Sequence, residues 1–244
     1  MNIKYCHKVI HIDKDVSFAI RSDQFMRSDY YVIGEVWKKR VYEQEGLRIG
    51  KKDVVIDIGA HLGAFTVYAA KRATLGRVFS FEPSKANFLL LKENVRLNNL
   101  HNVSHHRVGV AGKKQKIKLY LDPISTARNS CYLKSKRYEL INCLSLKDVF
   151  EKHKIKKCDF LKIDCEGAEY DILKKAPRNL YRLISKIVLE YHDCPDWREQ
   201  IRKIVTLLFR CGFIIKVSVS KRSGQYDCGM LYAYRDNNIA GVGI

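Results

Sequence analysis

The chain has 244 residues, 46% of them hydrophobic, which is enough for a sizeable core in one large α/β domain. Lys and Arg number 45 against 26 Asp and Glu, and the formal charge of +19 favours an acidic partner: nucleic acid, a phosphorylated or carboxylated substrate, or an anionic membrane surface. No apolar run reaches the ~18 residues of a membrane-spanning helix, and MNIKYCHKVI lacks the apolar centre of a signal peptide, so a soluble, cytoplasmic chain is expected.

Residues 1–50 read as an N-terminal extension packing on the core, with a short strand or hairpin (HKVIHI, VSFAIR) followed by a helix around 30–44. Residues 51–244 read as the main domain, because from residue 53 short Val/Ile/Phe-rich runs alternate with longer helical patterns, the signature of βαβ units around a parallel sheet. DVVIDIG is a strand followed by a helix over about 63–74, and RVFSFEP a second strand followed by a helix over about 84–98. NVSHHRVGV gives a third strand and KIKLYL an edge strand; DFLKID is the fourth and SKIVLEY the fifth. An amphipathic helix over about 196–210 leads to GFIIKVSV and GMLYAYR, which are separated only by SKRSGQYDC. That spacer is too short for a crossover helix, so the last two runs should pair as an antiparallel hairpin, unlike an all-parallel dinucleotide-binding sheet.

Basic residues fall in scattered clusters (KKQKIK, KSKR, KHKIKK), a pattern that a solvated surface also produces. The eight cysteines have no C-x-x-C pair and no histidine partners at zinc-ligand intervals, so they read as reduced thiols and no structural metal is expected.

In VVIDIGAHLGAF, Asp57, Gly59 and Gly63 sit where the first strand turns into the first helix. The glycines let backbone approach a ligand closely. Asp57 bears on which ligand: a carboxylate would repel a pyrophosphate, but it stabilises the ammonium and sulfonium of S-adenosylmethionine. The spacing is G-x-x-x-G rather than G-x-G-x-x-G. Glu82, at the end of the second strand, can accept hydrogen bonds from ribose hydroxyls, a role that fits NAD as well as S-adenosylmethionine.

Through VVIDIGAHLGAF, FSFEPSKANFLLLKENVRLNNL, NSCYL and above all FLKIDCEGAEYDIL, the chain resembles the FkbM family of class I S-adenosylmethionine-dependent methyltransferases over roughly residues 35–193. The resemblance implies a Rossmann-like α/β fold: a seven-stranded, mostly parallel sheet with an antiparallel last strand and helices on both faces. It also implies methyl transfer, most often to a hydroxyl oxygen. Carried over by position, it puts Asp57, Gly59, Ala60 and Gly63 at the methionine end of the cofactor. Glu82, with Pro83, falls at the ribose, and Val108 and Gly109 beside the adenine. His61 stands where similar sequences commonly have Asn, and serves either as a structural residue of the loop or as a contact to cofactor or substrate.

Strand alternation in DFLKID puts Phe160, Lys162 and Asp164 on one face. A mid-strand lysine needs a carboxylate partner or an opening to water, and Asp164 ends the strand where open α/β sheets bind ligands. Asp164 is therefore the expected positioning or basic residue, with Lys162 tuning it. Glu166 and Glu169 lie in the turn and first helical turn, where they act either in catalysis or as caps that complement the helix dipole. Gly167 would let the chain pass close to the ligand, and Cys165 reads as core. At the end of the fifth strand, Glu190 and His192 share a face, and His192 is the second candidate base. Asp164 with Glu190 or Asp193 could bracket a divalent cation, but two strand ends are thin grounds, and no metal is expected.

The leading expectation is an O-methyltransferase for a small molecule or glycan, with an anionic acceptor compatible with the charge. The alternative is a nucleic-acid (RNA ribose or base) methyltransferase gripping phosphates with the basic clusters; the sequence has no N-P-P-Y or D-P-P-Y motif after the fourth strand. A dinucleotide-dependent oxidoreductase is disfavoured by Asp57 and the glycine spacing, and a non-catalytic binding module by the polar groups kept at 159–173. Acceptor specificity is expected in residues 1–50, 121–140 and 219–227.

Overall fold

The structure, a computed structural model, describes residues 7–44, 47–132, 135–192, 197–220 and 228–235. Asp193, and all but the first two residues of the loop at 219–227, lie outside the described residues. The N-terminal extension opens with an antiparallel hairpin of β1 (His7–Asp13) and β2 (Val16–Arg21). Its helix α1 (Met26–Gly34) starts earlier than expected and continues as a π-helical turn, Glu35–Lys39, stopped by Arg40 in the left-handed region (φ 50°).

The body alternates strands and helices in the expected order. β3 (Val54–Ile58), α2 (Ala64–Arg72), β4 (Arg77–Phe81), α3 (Lys85–Leu97) and β5 (Val103–His106) come first. They are followed by β6 (Gly109–Val110), β7 (Gln115–Tyr120), β8 (Tyr138–Leu144) and α4 (Leu146–Lys152). β9 (Phe160–Ile163), α5 (Glu169–Lys175), β10 (Lys186–His192), α6 (Trp197–Arg210), β11 (Ile214–Ser220) and β12 (Cys228–Tyr234) complete it. Seven strands form one sheet in the order β11-β12-β10-β9-β3-β4-β5. The strands from β10 to β5 are parallel, while β12 runs antiparallel to both β10 and β11, which is the expected terminal hairpin.

Successive strand residues enter different cores. Ile56, Leu161 and Leu189 pack with Leu146, Ile172 and Leu208 on one face; Val55, Phe160 and Val188 pack with Phe65, Val67, Phe18 and Ile20 on the other. A sheet covered on both faces needs near-continuous apolar strands, and this is why the alternation of a half-exposed sheet is missing from the sequence. Asp57, Lys162 and Glu190 share parity with Val55, Phe160 and Val188, so their side chains leave the sheet on the α2 side.

Two expectations need correction. KIKLYL is not an edge of the main sheet: β7 pairs antiparallel with β8, which pairs parallel with β6, in a separate three-stranded sheet. NVSHHRVGV is not one strand but two, β5 in the main sheet and β6 in the small one. The physical reason lies in β8, which the sequence reading missed: once YELINCL supplies a partner for residues 109–120, they pair there and bury Leu119, Ile141 and Cys143 in a core of their own. Helix α4, also missed, begins at a reciprocal capping box in which the Ser145 side chain accepts from the Asp148 N–H and the Asp148 side chain accepts from the Ser145 N–H.

Candidate active site

The C-terminal ends of β3, β4 and β9 open into one cavity, where ligands bind in open α/β sheets. The loop after β3 has a backbone that only particular residues permit. Gly59 (φ +76°) lies so close to the end of β9 that an added Cβ would stand 1.7 Å from the Asp164 carbonyl oxygen. His61 also adopts positive φ (50°), uncommon for a side-chain-bearing residue, and is held there by its N–H donating to Glu82 Oε2 at 2.8 Å and by a 2.9 Å bond between Nε2 and Thr126 Oγ1.

Glu82 is buried at the end of β4. Its Oε1 also accepts from the Ser84 N–H (2.9 Å) and Asn87 Nδ2 (3.4 Å), which fixes the carboxyl group and leaves part of its accepting capacity free. Burial raises its pKa to about 7, against the pull of those hydrogen bonds. Asn87 is held in turn by Arg21, which also bonds Asp29 and Thr126 (3.0 Å). A guanidinium from the N-terminal hairpin thus organises the side chains around Glu82.

The second half of the site centres on Lys162, 3% exposed. Its Nζ donates to the Gly59 carbonyl at 2.8 Å and lies 3.2 Å from Asp57 Oδ1 and 3.4 Å from Asp164 Oδ2. Burial disfavours its charge, but Asp57 and Asp164 outweigh that and raise its pKa above the ordinary lysine value. Burial likewise pushes Asp164 up, yet Lys162, His192 and a hydrogen bond from Tyr42 hold it below the usual carboxylate range. Tyr42 Oη is 2.8 Å from Asp164 Oδ2 and 3.4 Å from Glu190 Oε2, and Lys162 Nζ lies 5.2 Å from the Tyr42 ring centroid. Burial and the neighbouring Asp164 raise Glu190 to about 8, and burial raises Glu166 to about 7. Burial opposes charge on His192, but Glu166, Glu169 and Glu190 together lift its pKa well above the ordinary imidazole value.

Of the residues expected at the site, Gly59, Ala60, His61, Glu82, Pro83, Gly109, Lys162, Asp164 and Glu166 all line the cavity. Four expected residues do not. Asp57 is fully buried behind Lys162, accepting from Thr66 Oγ1 at 2.7 Å, with Oδ1 turned to Lys162 Nζ. Gly63 (φ +91°) starts α2 against Leu91, and Val108 packs on the main core. His192 reaches the site only through its carboxylate neighbours. Cys165 is half-buried and also lines the cavity, so it is not purely core. Glu169 acts as a cap, accepting from the Cys165 and Gly167 N–H groups at 2.8 Å each. Sequence reasoning missed Tyr42 and Thr126, which reach the site from segments with no motif, and Asn87, which lies in a quoted motif but was not singled out there.

The profile of the methyltransferase FkbM domain matches residues 57–215, well over half of the chain. Methyltransferase 1 of Beauveria bassiana (strain ARSEF 2860) is 24% identical over 184 residues, covering 67% of this chain and 73% of its own. The 31-O-demethyl-FK506 methyltransferase FkbM of Streptomyces tacrolimicus is 24% identical over 215 residues, covering 76% and 82% respectively. Among solved structures, M. jannaschii TYW2 in complex with AdoMet superposes with a TM-score of 0.52 at 16% identity, covering 97% of this chain and 90% of that one, a likeness of fold.

Proposed function

The chain belongs to the FkbM methyltransferase family, and from that membership and the geometry of the cavity we propose that it transfers a methyl group from S-adenosylmethionine to a hydroxyl oxygen of a small molecule or glycan. The residues present suit that cofactor. Glu82 offers a fixed carboxyl group to ribose hydroxyls, Gly59 keeps the loop free of side chain, and Val110, Leu119 and Ile141 offer apolar wall to an adenine. Asp164 and Glu166 line the cavity as acidic groups toward which an ammonium and a sulfonium are attracted. When bound, S-adenosylmethionine supplies an electrophilic methyl carbon.

The chain's own residues do the rest. Asp164 orients the acceptor hydroxyl and takes its proton. Lys162, anchored by Asp57 and the Gly59 carbonyl, holds Asp164 from one side, and Tyr42 holds it from the other. Asp57 acts through Lys162, a positioning role in place of the cofactor contact expected from sequence. The observation that carries this reading is the Asp57–Lys162–Asp164 chain beside a side-chain-free loop, in the same cavity as the buried Glu82.

The test is transfer of labelled methyl from S-adenosylmethionine into a cell extract separated into nucleic acid, glycan or lipid, and small molecules. Label in the glycan or small-molecule pool that falls at least about 100-fold with Asp164→Asn is the expected outcome. In that variant the affinity for S-adenosylhomocysteine should fall by much less, no more than about tenfold, which separates a lost base from a lost cofactor site. Label confined to RNA would replace the acceptor class, and no label from a chain that binds S-adenosylhomocysteine would refute the catalytic reading.

A further inference from the structure

Four carboxylates, Asp164, Glu166, Glu169 and Glu190, converge on one histidine. His192 Nε2 lies 3.4 Å from Glu166 Oε1 and 3.9 Å from both Asp164 Oδ1 and Glu190 Oε1, while Nδ1 lies 3.3 Å from Glu169 Oε1. Among the described residues, His192 is the one cationic group within 4.0 Å of Glu166 or Glu190, and Lys162 is shared between Asp164 and Asp57. The cluster is therefore short of positive charge at a place mostly closed to water, where unmatched carboxylates are costly.

We infer that Asp164, Glu190 and His192 form a binding site for a divalent transition-metal ion of the Mn2+ class. The donor geometry argues for it independently of the charge count. One ligand atom from each residue lies within 4.8 Å of the others. Atoms bonded to a common ion at about 2.1 Å stand roughly 3.0–3.4 Å apart, so a contraction of at most about 1.4–1.8 Å, within reach of side-chain rotation, closes the site. The backbone is already fixed, because the three residues lie at the ends of the adjacent strands β9 and β10.

The surroundings complete the pattern. A carboxylate can only accept, so Glu169, 3.3 Å from Nδ1, keeps that nitrogen protonated, and a bound ion would displace the other proton of the cationic ring to solvent from Nε2, which faces Asp164 and Glu190, the arrangement typical of metal-bound histidine. Glu169 is itself fixed by two backbone N–H groups. Tyr42 Oη gives Asp164 and Glu190 an outer hydrogen-bond partner. Two carboxylates and one imidazole favour Mn2+ or its neighbours over Mg2+ and Ca2+, which prefer all-oxygen sites. Asp164 faces the cavity, so the ion would hold an acceptor oxygen there; that role rests on the methyl-transfer reading, whereas ion binding does not.

The test is a titration of the full, chelator-treated chain with Mn2+ alone, following the spin-resonance signal of free Mn2+ with no cofactor or acceptor present. The expected result is uptake of one ion per chain, weakened at least about tenfold by Glu190→Gln and by His192→Gln and unchanged by Glu199→Gln on the exposed face of α6. Thermal melts establish that the variants fold, and in the parent complex electron-spin-echo modulation from an imidazole nitrogen reports the histidine without any substitution. No uptake by the folded parent chain, uptake indifferent to both site substitutions, or bound Mn2+ lacking nitrogen modulation would each overturn the assignment. None of these readings depends on methyl transfer.

Discussion

Lys162 illustrates how a charged residue is kept in a strand that is otherwise wholly apolar. It is acceptable there because Asp57, Asp164 and a backbone carbonyl satisfy it. Lys162→Met would leave two buried carboxylates facing each other, and a loss of about 3–5 kcal/mol is expected in denaturant unfolding. The double change Asp57→Asn with Lys162→Met should recover part of that loss. Glu82 sets a pH dependence of its own. Its folded pKa is raised by burial from 4.5 to about 7, so its contribution favours the folded state at low pH and is lost as pH rises from the unfolded value toward 7. In the proposed cofactor role ligand binding would have the opposite sign, because ribose hydroxyls would donate to the carboxylate, which is deprotonated only above about 7. Affinity for S-adenosylhomocysteine should therefore fall about tenfold per pH unit below 7 and level off above it, and calorimetry on Glu82→Gln should give weaker binding with a flat profile.

At the scale of elements, the loop between β3 and α2 and the end of β9 act as one piece. Gly59 allows the two to touch: a Cβ there meets the Asp164 carbonyl, and a φ of +76° is strained for alanine. Gly59→Ala should cost at least about 2 kcal/mol and displace Asp164, so a fall in melting temperature should be accompanied by lost activity. Most strands of the main sheet were legible because they are apolar runs bounded by turn residues. The small sheet was not, because β6 is two residues long and β7 pairs with a strand that lies beyond a long connecting segment. YELINCL does alternate, with Ile141 and Cys143 inward and Leu140 and Asn142 outward, and that period of two was the available signal.

For the whole molecule, the N-terminal extension is where sequence and structure weigh differently. By sequence it is an extension packed on the core; in the structure it is built into that core, where Phe18 and Ile20 pack with Phe65 and Val67, Asn94 bonds the Ala19 backbone in both directions, and Arg21 braces Asn87. The extension and the body are thus proposed to fold as one unit. A chain beginning at residue 51 is expected to lose cooperative thermal unfolding and S-adenosylhomocysteine binding together, as followed by calorimetry; retention of both would make the extension dispensable. No helix among the described residues is long and apolar enough to cross a membrane, and Cys131, Cys143, Cys158, Cys165 and Cys211 are free thiols.

The sequence by itself determined the sheet, its reversed last strand, the family, and the residues at the strand ends, because those depend on local periodicity, on a spacer too short for a crossover helix, and on motifs contiguous in the chain. Tertiary structure alone decided what those residues touch. Tyr42 meets Asp164 across 122 positions of chain and Arg21 meets Asn87 across 66, and no local pattern encodes such contacts. That Asp57, expected at the cofactor, lies beside Lys162 was hidden for the same reason. A buried ammonium takes whichever carboxylates the packing brings within reach, and that is settled only once the strands lie side by side.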